Sequence, residues 1–435
     1  MNGRRVGFGE RGLWFMQQVT GTGVCNMSSA FRIRDELDTD LFFRSMATVI
    51  DRHPNLRARY RVHEGELRVL VAPTSGLRTH VVSAHGWSDS RITDDMRRIQ
   101  SLPFDLANEP PCRLTIWYRE NDHGSDHAAL LTFHHATADA AGMVLAGKEL
   151  FHLYDHGLDQ SGLPEPGPPY EEFVEEQHAL ASSPAADEAV YYWTELLPRK
   201  RPAPPLPTGG VPGASDPRVV PFALPDGVAG GIATFARAHR VPSNVVLLAL
   251  WSLTVHRVGG AEQLVVGLPR SLRRGRFAHT VGTFINTIPV VVDVPGDEDL
   301  STIVAGLRTQ LRASIKHQRF PMELLAQRLP SEWTDPNRVP VVDLMFNYVP
   351  LDGQDFGAVF VGALSDDSDI TLGVAPFPTP ASTGPPAEIN LNHAQLGDHL
   401  AATITCDVGD VALAQELRER YIALAHTHFT PTEKS

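Results

Sequence analysis

An apolar run that ends in two histidines and leads into a helical pattern is the most informative stretch of the sequence. Residues 128–133 are apolar and prone to form a strand, whereas residues 143–154 carry apolar side chains at helical spacing. We therefore predict a strand, a turn that contains His134 and His135, and a helix that begins near Asp139. An aspartate at that position favours a helix start, because its carboxylate accepts hydrogen bonds from unpaired N–H groups.

This stretch also contains a candidate general base. Histidine titrates near neutral pH, and His135 stands at a strand end beside exposed backbone donors. If the turn is already helical, His135 and Asp139 share a face, since they are four positions apart. The alternative is that both histidines are ordinary turn residues and that Asp139 only caps the helix. These residues alone leave the two interpretations equally open.

The remainder of the first half alternates between helical and strand patterns. The predicted elements are a helix over 41–50, a hairpin formed by 56–60 and 67–71, and a strand over 114–118. Asp38 or Asp40 caps the helix, and the His53-Pro54 pair ends it. An arginine of the first hairpin strand that pointed inward would need a carboxylate partner, for which Asp139 is a candidate.

The second half begins again with strand, helix and strand, so we predict two similar α/β halves. Its predicted elements are strands over 219–224, 263–267, 281–289, 341–348 and 400–406, and helices over 241–257 and 411–425. Proline and glycine are frequent in 163–169 and 198–217, where we place the linkage between domains. Asn286 is a lone polar residue in an apolar strand. We interpret it as a hydrogen-bonded core asparagine, because a buried amide must be paired.

Length and charge limit the classes of function. A chain of 435 residues predicts two domains, and its net charge of −13 disfavours a nucleic-acid partner. The three cysteines match no metal spacing and suit a reducing cytosol. The N-terminus lacks a secretory signal, and the apolar run 245–255 is too short to span a membrane. We therefore expect a cytoplasmic protein without a metal or a membrane partner.

The turn before the histidine strand contains Asp122, His123, Asp126 and His127. These residue types can bind metals. We interpret the turn as a solvated hairpin loop, because its spacing fixes no third ligand.

Seven stretches resemble, in order, the motifs of nonribosomal peptide synthetase condensation domains, which belong to the chloramphenicol-acetyltransferase-like acyltransferase superfamily. They are residues 10–15, 52–60, the HHxxxDG-like stretch 134–140, the looser match 170–173, and residues 281–289, 317–323 and 338–346. HHxxxD alone is a weak signal. Seven motifs in the correct order, spread over nearly the whole chain, are a strong one.

The resemblance implies two chloramphenicol-acetyltransferase-like lobes, 1–178 and 179–435, that form a V-shaped pseudo-dimer with a central tunnel. It also implies transfer of an acyl or aminoacyl group from a carrier-protein thioester to the amine or hydroxyl of a small-molecule acceptor, as in antibiotic and other natural-product biosynthesis. Phosphopantetheine arms of the carrier proteins deliver the substrates, and no bound cofactor is implied. The chain begins with Met1, ends soon after its last predicted helix and shows no evident adenylation or carrier segment, so we expect a free-standing enzyme, although a domain excised from a larger synthetase would have the same sequence. We also expect a monomer.

The resemblance also implies roles for individual residues. The second histidine of the motif serves the reaction, which maps to His135 with His134 beside it. Asp139 is implied to be structural and to pair with the arginine of the second motif, which maps to Arg57. Asn286 lies in the fifth motif and is expected to support the site.

Ala140 departs from the family pattern, which has glycine at that position. Backbone N–H groups near Ala140 are candidate donors to the oxyanion. The added methyl group matters if the backbone φ is positive or if the substrate passes close by. Two alternatives to the condensation enzyme stay open, and Ala140 bears on the second. One is a CoA-dependent acyltransferase of the same fold, and the other is a non-catalytic condensation-like domain that recruits a partner.

Overall fold

A computed structural model gives the fold of the chain. It describes residues 3–34, 36–74, 76–121, 124–206, 218–294, 296, 299–333, 338, 340–351, 374–376, 389–396, 399–406 and 411–430. The helices are Phe8–Thr20 (α1), Thr39–Arg52 (α2), Asp89–Gln100 (α3), Ala140–Asp155 (α4), Tyr170–Ala181 (α5), Pro184–Leu196 (α6), Val228–His239 (α7), Ser243–Gly259 (α8), Leu300–Ser314 (α9), Met322–Arg328 (α10) and Val411–Phe429 (α11).

The strands form sheets that mix parallel and antiparallel pairs. They are Arg4–Arg5 (β1), Asn26–Ile33 (β2), Ala58–His63 (β3), Glu66–Val71 (β4), Arg78–Ser83 (β5), Cys112–Tyr118 (β6), Glu120–Asn121 (β7), Gly124–Ser125 (β8), His127–His134 (β9), Arg218–Ala223 (β10), Gln263–Ser271 (β11), Ile285–Asp293 (β12), Leu344–Leu351 (β13), Val374–Pro376 (β14), Ile389–Leu396 (β15) and His399–Cys406 (β16). The predicted α/β class with mixed sheets is confirmed.

The chain forms two compact units. Among the described residues, the first unit contains those of 1–179, 272–285 and 353–385, and the second contains those of 180–271, 286–352 and 386–435. The predicted lobes, 1–178 and 179–435, are each continuous in sequence, whereas these units are not. The segment 272–285 belongs to the first unit although it lies in sequence between two portions of the second unit, 180–271 and 286–352.

The first unit is built on a five-stranded sheet of order β14-β2-β9-β6-β5. Strand β9 lies in its interior and pairs antiparallel with β2 and β6, so that Phe133 lies opposite Met27 and Cys112. Every residue of β9 is buried, which is typical of a strand covered on both faces. The end of β9 is therefore held rigidly, and the turn that follows it starts from a fixed position.

Helices α2 and α4 cover one face of this sheet with a shared apolar core. Asp38 caps α2 by accepting a hydrogen bond from the Leu41 N–H at 2.9 Å, and Pro54 follows directly after its end. Buried residues from both helices and the sheet pack in one cluster, which includes Phe42, Met46, Leu131, Leu150 and Phe151. The core thus fixes the start of α4 relative to the end of β9.

The second unit contains a six-stranded sheet of order β10-β16-β15-β13-β11-β12. Strands β11, β13 and β15 are parallel neighbours, and β15, β16 and β10 pair antiparallel. Helix α8 is buried along residues 245–255, which explains its almost continuous apolar sequence. Within the part of the chain described here, no single helix is long and apolar enough to cross a membrane. Helices α7 and α8 reach that length and hydropathy only together, across a bend of 105°.

Most predicted elements are present, and their boundaries differ where a local turn intervenes. The first hairpin strand was expected over 56–60, but Pro54–Arg57 forms a 3₁₀ turn and β3 begins at Ala58. A proline at the start of this turn favours it over a strand. Likewise, β12 begins at Ile285 rather than at residue 281, because residues 281–284 pack in the first unit.

Candidate active site

His135 follows the last residue of β9 and is held by hydrogen bonds on both its backbone and its ring. Its N–H donates to the Cys25 carbonyl at 2.8 Å, and its carbonyl accepts from the Thr283 hydroxyl. Its ring Nδ1 lies 3.0 Å from the Ala138 carbonyl. A carbonyl only accepts, so Nδ1 carries the hydrogen and Nε2 carries the lone pair. The turn is not helical, so the condition under which His135 and Asp139 would share a helix face is not met.

The environment of His135 keeps its ring neutral. Burial lowers the pKa of His135 below its usual value, and this outweighs the opposing effect of the Asp139 charge. The residue is nonetheless only half-buried, and Nε2 has no hydrogen-bond partner among the described residues. A neutral imidazole with an unoccupied, partly accessible Nε2 is able to accept a proton.

His134, the neighbouring histidine, differs from His135 because its ring is sealed in the core. It is completely buried, its Nδ1 accepts a hydrogen bond from the Ala136 N–H at 3.1 Å, and its ring packs edge-on against Phe104. Burial lowers the pKa of His134 to about 3. Consecutive residues at a strand end point to opposite sides, which places one ring in the core and the other at its edge. His134 was a candidate catalytic residue because it belongs to the same motif, and the structure places its ring in the core, where it contributes to packing.

Asp139 caps α4, as predicted. Its Oδ1 accepts the Gly142 N–H at 2.8 Å, and Ala140 is the first residue of the helix. The same carboxylate also binds the segment 272–285. Arg273 Nη2 donates to Oδ1 at 2.7 Å, and the Phe284 N–H donates to Oδ2 at 3.0 Å. Asp139 therefore joins the helix start to a segment that is distant in sequence.

The predicted pair between Arg57 and Asp139 is wrong. Arg57 lies in the 3₁₀ turn, where its Nη1 donates to the Pro73 carbonyl at 3.1 Å and lies 3.6 Å from the Asp51 carboxylate. Because the turn replaces the expected strand, the side chain of Arg57 points away from Asp139. Arg273, and not Arg57, forms the ion pair with Asp139. No direct signal in the sequence pointed to Arg273, which lies in a polar stretch with three arginines between residues 273 and 276.

Ala140 adopts a helical backbone, and it has no positive φ. An alanine in place of the family's glycine would be strained only at a positive φ, so this substitution causes no backbone strain here. The N–H groups of Ala140 and Ala141 have no acceptor within the described residues, as expected for the first turn of a helix. They offer hydrogen-bond donors at the positive end of the α4 dipole.

A buried polar network supports the turn between His135 and Asp139. Glu10 is completely buried, and its carboxylate binds Arg4 Nη1 and Nη2 at 2.9 and 2.7 Å. Tyr60 donates from its hydroxyl to Glu10 at 2.8 Å and lies 3.2 Å from the Ala136 carbonyl. This network therefore reaches the backbone of the turn directly.

Asn55 extends the same network. Its Oδ1 accepts from Arg4 Nη2 at 2.8 Å, and its Nδ2 donates to the Thr137 carbonyl at 2.7 Å. Asn55 is thus the residue of the second motif that supports the turn, in place of Arg57. Sequence reasoning missed both Glu10 and Asn55. A carboxylate at the start of the otherwise apolar run of α1 was the available signal for Glu10.

Asn286 is a core asparagine whose amide is paired, as predicted. Its Nδ2 donates to the Gln318 and Phe320 carbonyls, both at 2.8 Å, and its Oδ1 accepts from the Met322 N–H at 3.1 Å. These contacts hold the residues that precede α10. None of these hydrogen bonds involves a residue of the histidine motif. Asn286 was expected to support the active site, but it supports the segment before α10 in the second unit instead.

Within the part of the chain that the structure describes, the site has neither a cluster of metal-binding residues nor an activated thiol. No group of three or more potential protein ligands for a metal occurs within the described ranges. Asp122 and His123 of the predicted hairpin loop lie outside those ranges. The cysteines are free and buried, and burial raises the pKa of Cys25 and of Cys112 to about 12. Such thiols are poor nucleophiles at neutral pH.

Comparisons with known proteins identify the family. The condensation-domain family matches residues 10–379. Cyclosporin synthetase of Tolypocladium inflatum is 27% identical over 78% of this chain, and isonitrile lipopeptide synthase of Mycobacterium tuberculosis is 28% identical over 74%. The matches span only 2% and 13% of the length of these two relatives.

Solved structures show the same fold. A four-domain nonribosomal peptide synthetase bound to AMP and glycine superposes with a TM-score of 0.84 and 18% identity, covering 98% of this chain and 33% of that one. The first condensation domain of the calcium-dependent antibiotic synthetase, in complex with a substrate analogue, superposes with a TM-score of 0.79 and 20% identity, covering 99% of this chain and 97% of that one. The predicted fold is therefore confirmed, and the chain belongs to the condensation-domain family.

Proposed function

We propose that this chain is a condensation enzyme that forms an amide or ester bond. It transfers an acyl or aminoacyl group from the thioester of a carrier protein to the amine or hydroxyl of an acceptor. The observation that carries this proposal is the state of His135. Its Nδ1 is anchored on the Ala138 carbonyl, burial lowers the pKa of its ring, and its Nε2 is unoccupied by any described residue.

The proposed reaction needs one proton carrier. The acceptor nitrogen or oxygen attacks the thioester carbonyl and forms a new bond to its carbon, while its proton passes to His135 Nε2. The resulting tetrahedral oxyanion collapses, the carbon–sulfur bond breaks, and the leaving thiolate takes the proton from Nε2. The imidazole is regenerated, and no covalent enzyme intermediate forms. A positioned acid–base group of this type contributes about 10²–10⁴-fold in rate.

The start of α4 provides hydrogen-bond donors and partial positive charge for the oxyanion of the tetrahedral intermediate. The oxyanion that develops in the tetrahedral intermediate needs hydrogen-bond donors that are already in place. The N–H groups of Ala140 and Ala141 are unoccupied by described residues and lie at the positive end of the helix dipole. We propose that one or both donate to this oxyanion, and that Asp139 and Arg273 keep the helix start in position for that purpose.

The matched relatives support this reaction class but not a particular substrate. By name they are a cyclosporin synthetase and a lipopeptide synthase, and one matched structure is a condensation domain from the monacolin K polyketide synthase. Because the matches span a small share of the synthetases, the carrier-protein donor stays part of the proposal. The free-standing, monomeric and cytoplasmic form is likewise proposed.

The proposal is tested with intact-protein mass spectrometry. Candidate carrier proteins are loaded with an acyl or aminoacyl thioester, and their masses are recorded with and without this chain in the presence of an acceptor amine or alcohol. We expect protein-dependent loss of the acyl group from the donor carrier and its appearance on the acceptor. A parallel reaction with the corresponding acyl-CoA, corrected for hydrolysis, tests the CoA-dependent alternative. Transfer from CoA at the same efficiency contradicts a requirement for carriers.

The same experiment separates catalysis from recruitment. A domain that only recruits a partner binds the loaded carrier but leaves the mass of donor and acceptor unchanged. The helical backbone of Ala140 is free of the strain that a positive φ would cause, which supports the enzyme over the recruiting domain. Carrier binding without any transfer, across the tested donors and acceptors, contradicts the proposed enzyme.

A further inference from the structure

A small cavity in the second unit is lined by four arginines. It has a volume of about 140 Å³, and it lies where the start of α8, the end of α9 and strand β11 meet. The arginines come from the cap of α7, from β11 and from α9: Arg240, Arg270, Arg308 and Arg312. No residue of this cavity is part of the histidine site in the first unit.

The charge of this arginine cavity is not balanced locally. None of the described residues that line it is acidic. Arg308 donates one N–H to the His239 carbonyl at 3.0 Å, and Arg270 donates one to Gln318 Oε1 at 3.3 Å. Both acceptors are neutral, and each guanidinium has five N–H donors in total. Most of the donor capacity of the cavity is therefore unused by the described residues.

The start of α8 adds positive potential to this cavity. Asn244 and Val245, in the first turn of this helix, line the cavity, so the positive end of the helix dipole faces it. These groups add to the arginines and favour an anion of high charge density.

The remaining walls of the cavity are apolar. They are formed by Val241, Pro242, Val245, Leu248, Leu268, Leu311 and Ile315. Ile315 is 56% exposed, although large aliphatic side chains are usually buried. A cavity of this size holds one charged group and not a whole cofactor, so the remainder of a ligand must extend over these walls toward Ile315.

We propose that the arginine cavity binds the phosphate group of an organic phosphate, whose apolar portion lies against Leu311 and Ile315. Phosphate suits the cavity because guanidinium groups bind its oxygens in bidentate fashion, and several positive charges favour a dianion over a carboxylate. The apolar wall distinguishes an organic phosphate from inorganic phosphate. This binding site is separate from the proposed acyl transfer and does not depend on it.

The simpler explanation is that the arginines only stabilise helix ends. Arg308 does bind the carbonyl of the last residue of α7, which is a favourable position for a cation. Arg312, by contrast, is exposed and makes no hydrogen bond to the described residues. Arg312 is therefore the better residue to test, because its replacement does not remove a structural contact.

The test is a calorimetric titration of the full chain with three probes at fixed ionic strength: n-butyl phosphate, inorganic phosphate and n-butanol. The variants are Arg312→Gln and, as a matched control, Arg328→Gln, which removes an exposed arginine from α10 in the same unit. We expect butyl phosphate to bind more tightly than inorganic phosphate, and butanol not to bind. Arg312→Gln should weaken butyl phosphate binding about tenfold or more, and Arg328→Gln should leave it unchanged.

Three results overturn the proposal. They are the absence of butyl phosphate binding to the wild-type chain, equal binding of butanol and butyl phosphate, and equal weakening by the two substitutions. Inorganic phosphate that binds as tightly as butyl phosphate overturns the role of the apolar wall. Unfolding midpoints of both variants, measured alongside, show whether either substitution disturbs the fold.

Discussion

Asp139 and Arg273 form a buried ion pair with Oδ1 and Nη2 2.7 Å apart, although 134 positions separate them in sequence. The carboxylate also caps α4 and accepts the N–H of Phe284. One aspartate thus ties the turn after His135 to a segment that comes from the other half of the chain. Losing either partner leaves an uncompensated charge in the interior, and this has measurable consequences.

Arg273→Gln should destabilise the protein by roughly 3–5 kcal/mol, because the Asp139 carboxylate would remain buried without its ion pair. The measurement is the free energy of unfolding in urea. Arg276→Gln is the matched control, since Arg276 lies in the same segment but forms exposed pairs with Glu172 and Glu176. We expect this control to resemble the wild type. Adding Asp139→Asn to Arg273→Gln should recover part of the loss, and equal losses in the two single arginine variants contradict the buried pair.

The pair between Arg4 and Glu10 leads to a similar prediction at the N-terminus. Arg4→Met leaves the completely buried Glu10 charged and unpaired, which should cost roughly 3–5 kcal/mol of stability. The double variant Arg4→Met with Glu10→Gln removes both charges and should be clearly more stable than Arg4→Met alone. Urea unfolding of the two variants measures this difference. A double variant that is no better than the single one would mean that the ion pair is not the source of the effect.

Asn55 should affect the rate of transfer rather than substrate binding. Asn55→Ala removes the hydrogen bond to the Thr137 carbonyl, which helps to hold the turn between His135 and Asp139. A small displacement of a catalytic group can cost up to about 10²-fold in rate, so we expect kcat to fall with KM nearly unchanged. Steady-state kinetics measure the two constants. Arg57→Ala is the control, because Arg57 makes no contact with this turn in the described structure. Equal effects of the two substitutions contradict the positioning role.

His134 should make stability depend on pH. Its pKa is lowered to about 3 by burial, whereas the unfolded chain has a histidine pKa near 6.5, so the unfolded state binds more protons between these values. Stability should therefore fall as the pH drops below about 6.5, by up to about 1.4 kcal/mol per pH unit for this residue. His393 is buried in the second unit, its pKa is also lowered to about 3, and it acts in the same direction.

Urea unfolding at pH 7 and at pH 5 tests this dependence. His134→Gln should lower stability at pH 7 but show a smaller loss between pH 7 and pH 5 than the wild type. His63→Gln serves as the matched control, since it makes the same substitution at a histidine that lies on the surface. A His134→Gln variant with the full acid sensitivity of the wild type would show that His134 is not the titrating group.

The proposed reaction leads to a prediction about metal removal. Proton transfer through His135 and donation from the backbone of α4 use only groups of the protein and its substrates. Dialysis against EDTA should therefore leave the rate of acyl transfer unchanged. The transfer rate before and after dialysis, with zinc or magnesium added back in a third sample, measures this. A loss that an added metal restores contradicts the proposed chemistry.

The local part of the site was predictable from the sequence. The change from a strand pattern to a helical pattern placed the histidines between β9 and α4, and Asp139 was correctly predicted as the helix cap. The paired amide of Asn286 was predicted for the same reason, because a lone polar residue in an apolar strand must be satisfied. These features depend on nearby residues and on general rules for buried polar groups.

The long-range part of the site was not predictable in this way. The pattern assigned Arg57 to a strand, whereas Pro54 starts a 3₁₀ turn that redirects its side chain. The true partner, Arg273, is one of several arginines in a polar stretch, and only packing of the segment 272–285 in the first unit selects it. Partners that are far apart in sequence are fixed by the assembled fold, and residue spacing does not identify them.

His135 is the residue on which the proposed chemistry depends. Because its pKa lies below the usual value, the ring should be neutral at pH 7 and above, and the transfer rate should fall only as the pH drops into the acid range where the ring gains a proton. The most direct measurement is therefore the single-turnover rate of acyl transfer from a loaded carrier, for the wild type and for His135→Ala, from pH 5 to pH 8. We expect His135→Ala to be about 10²–10⁴-fold slower at pH 7, to lack the acid limb and to keep the wild-type unfolding midpoint. A variant that transfers the acyl group at the wild-type rate, with the same pH profile, would contradict the role of His135 as the proton acceptor.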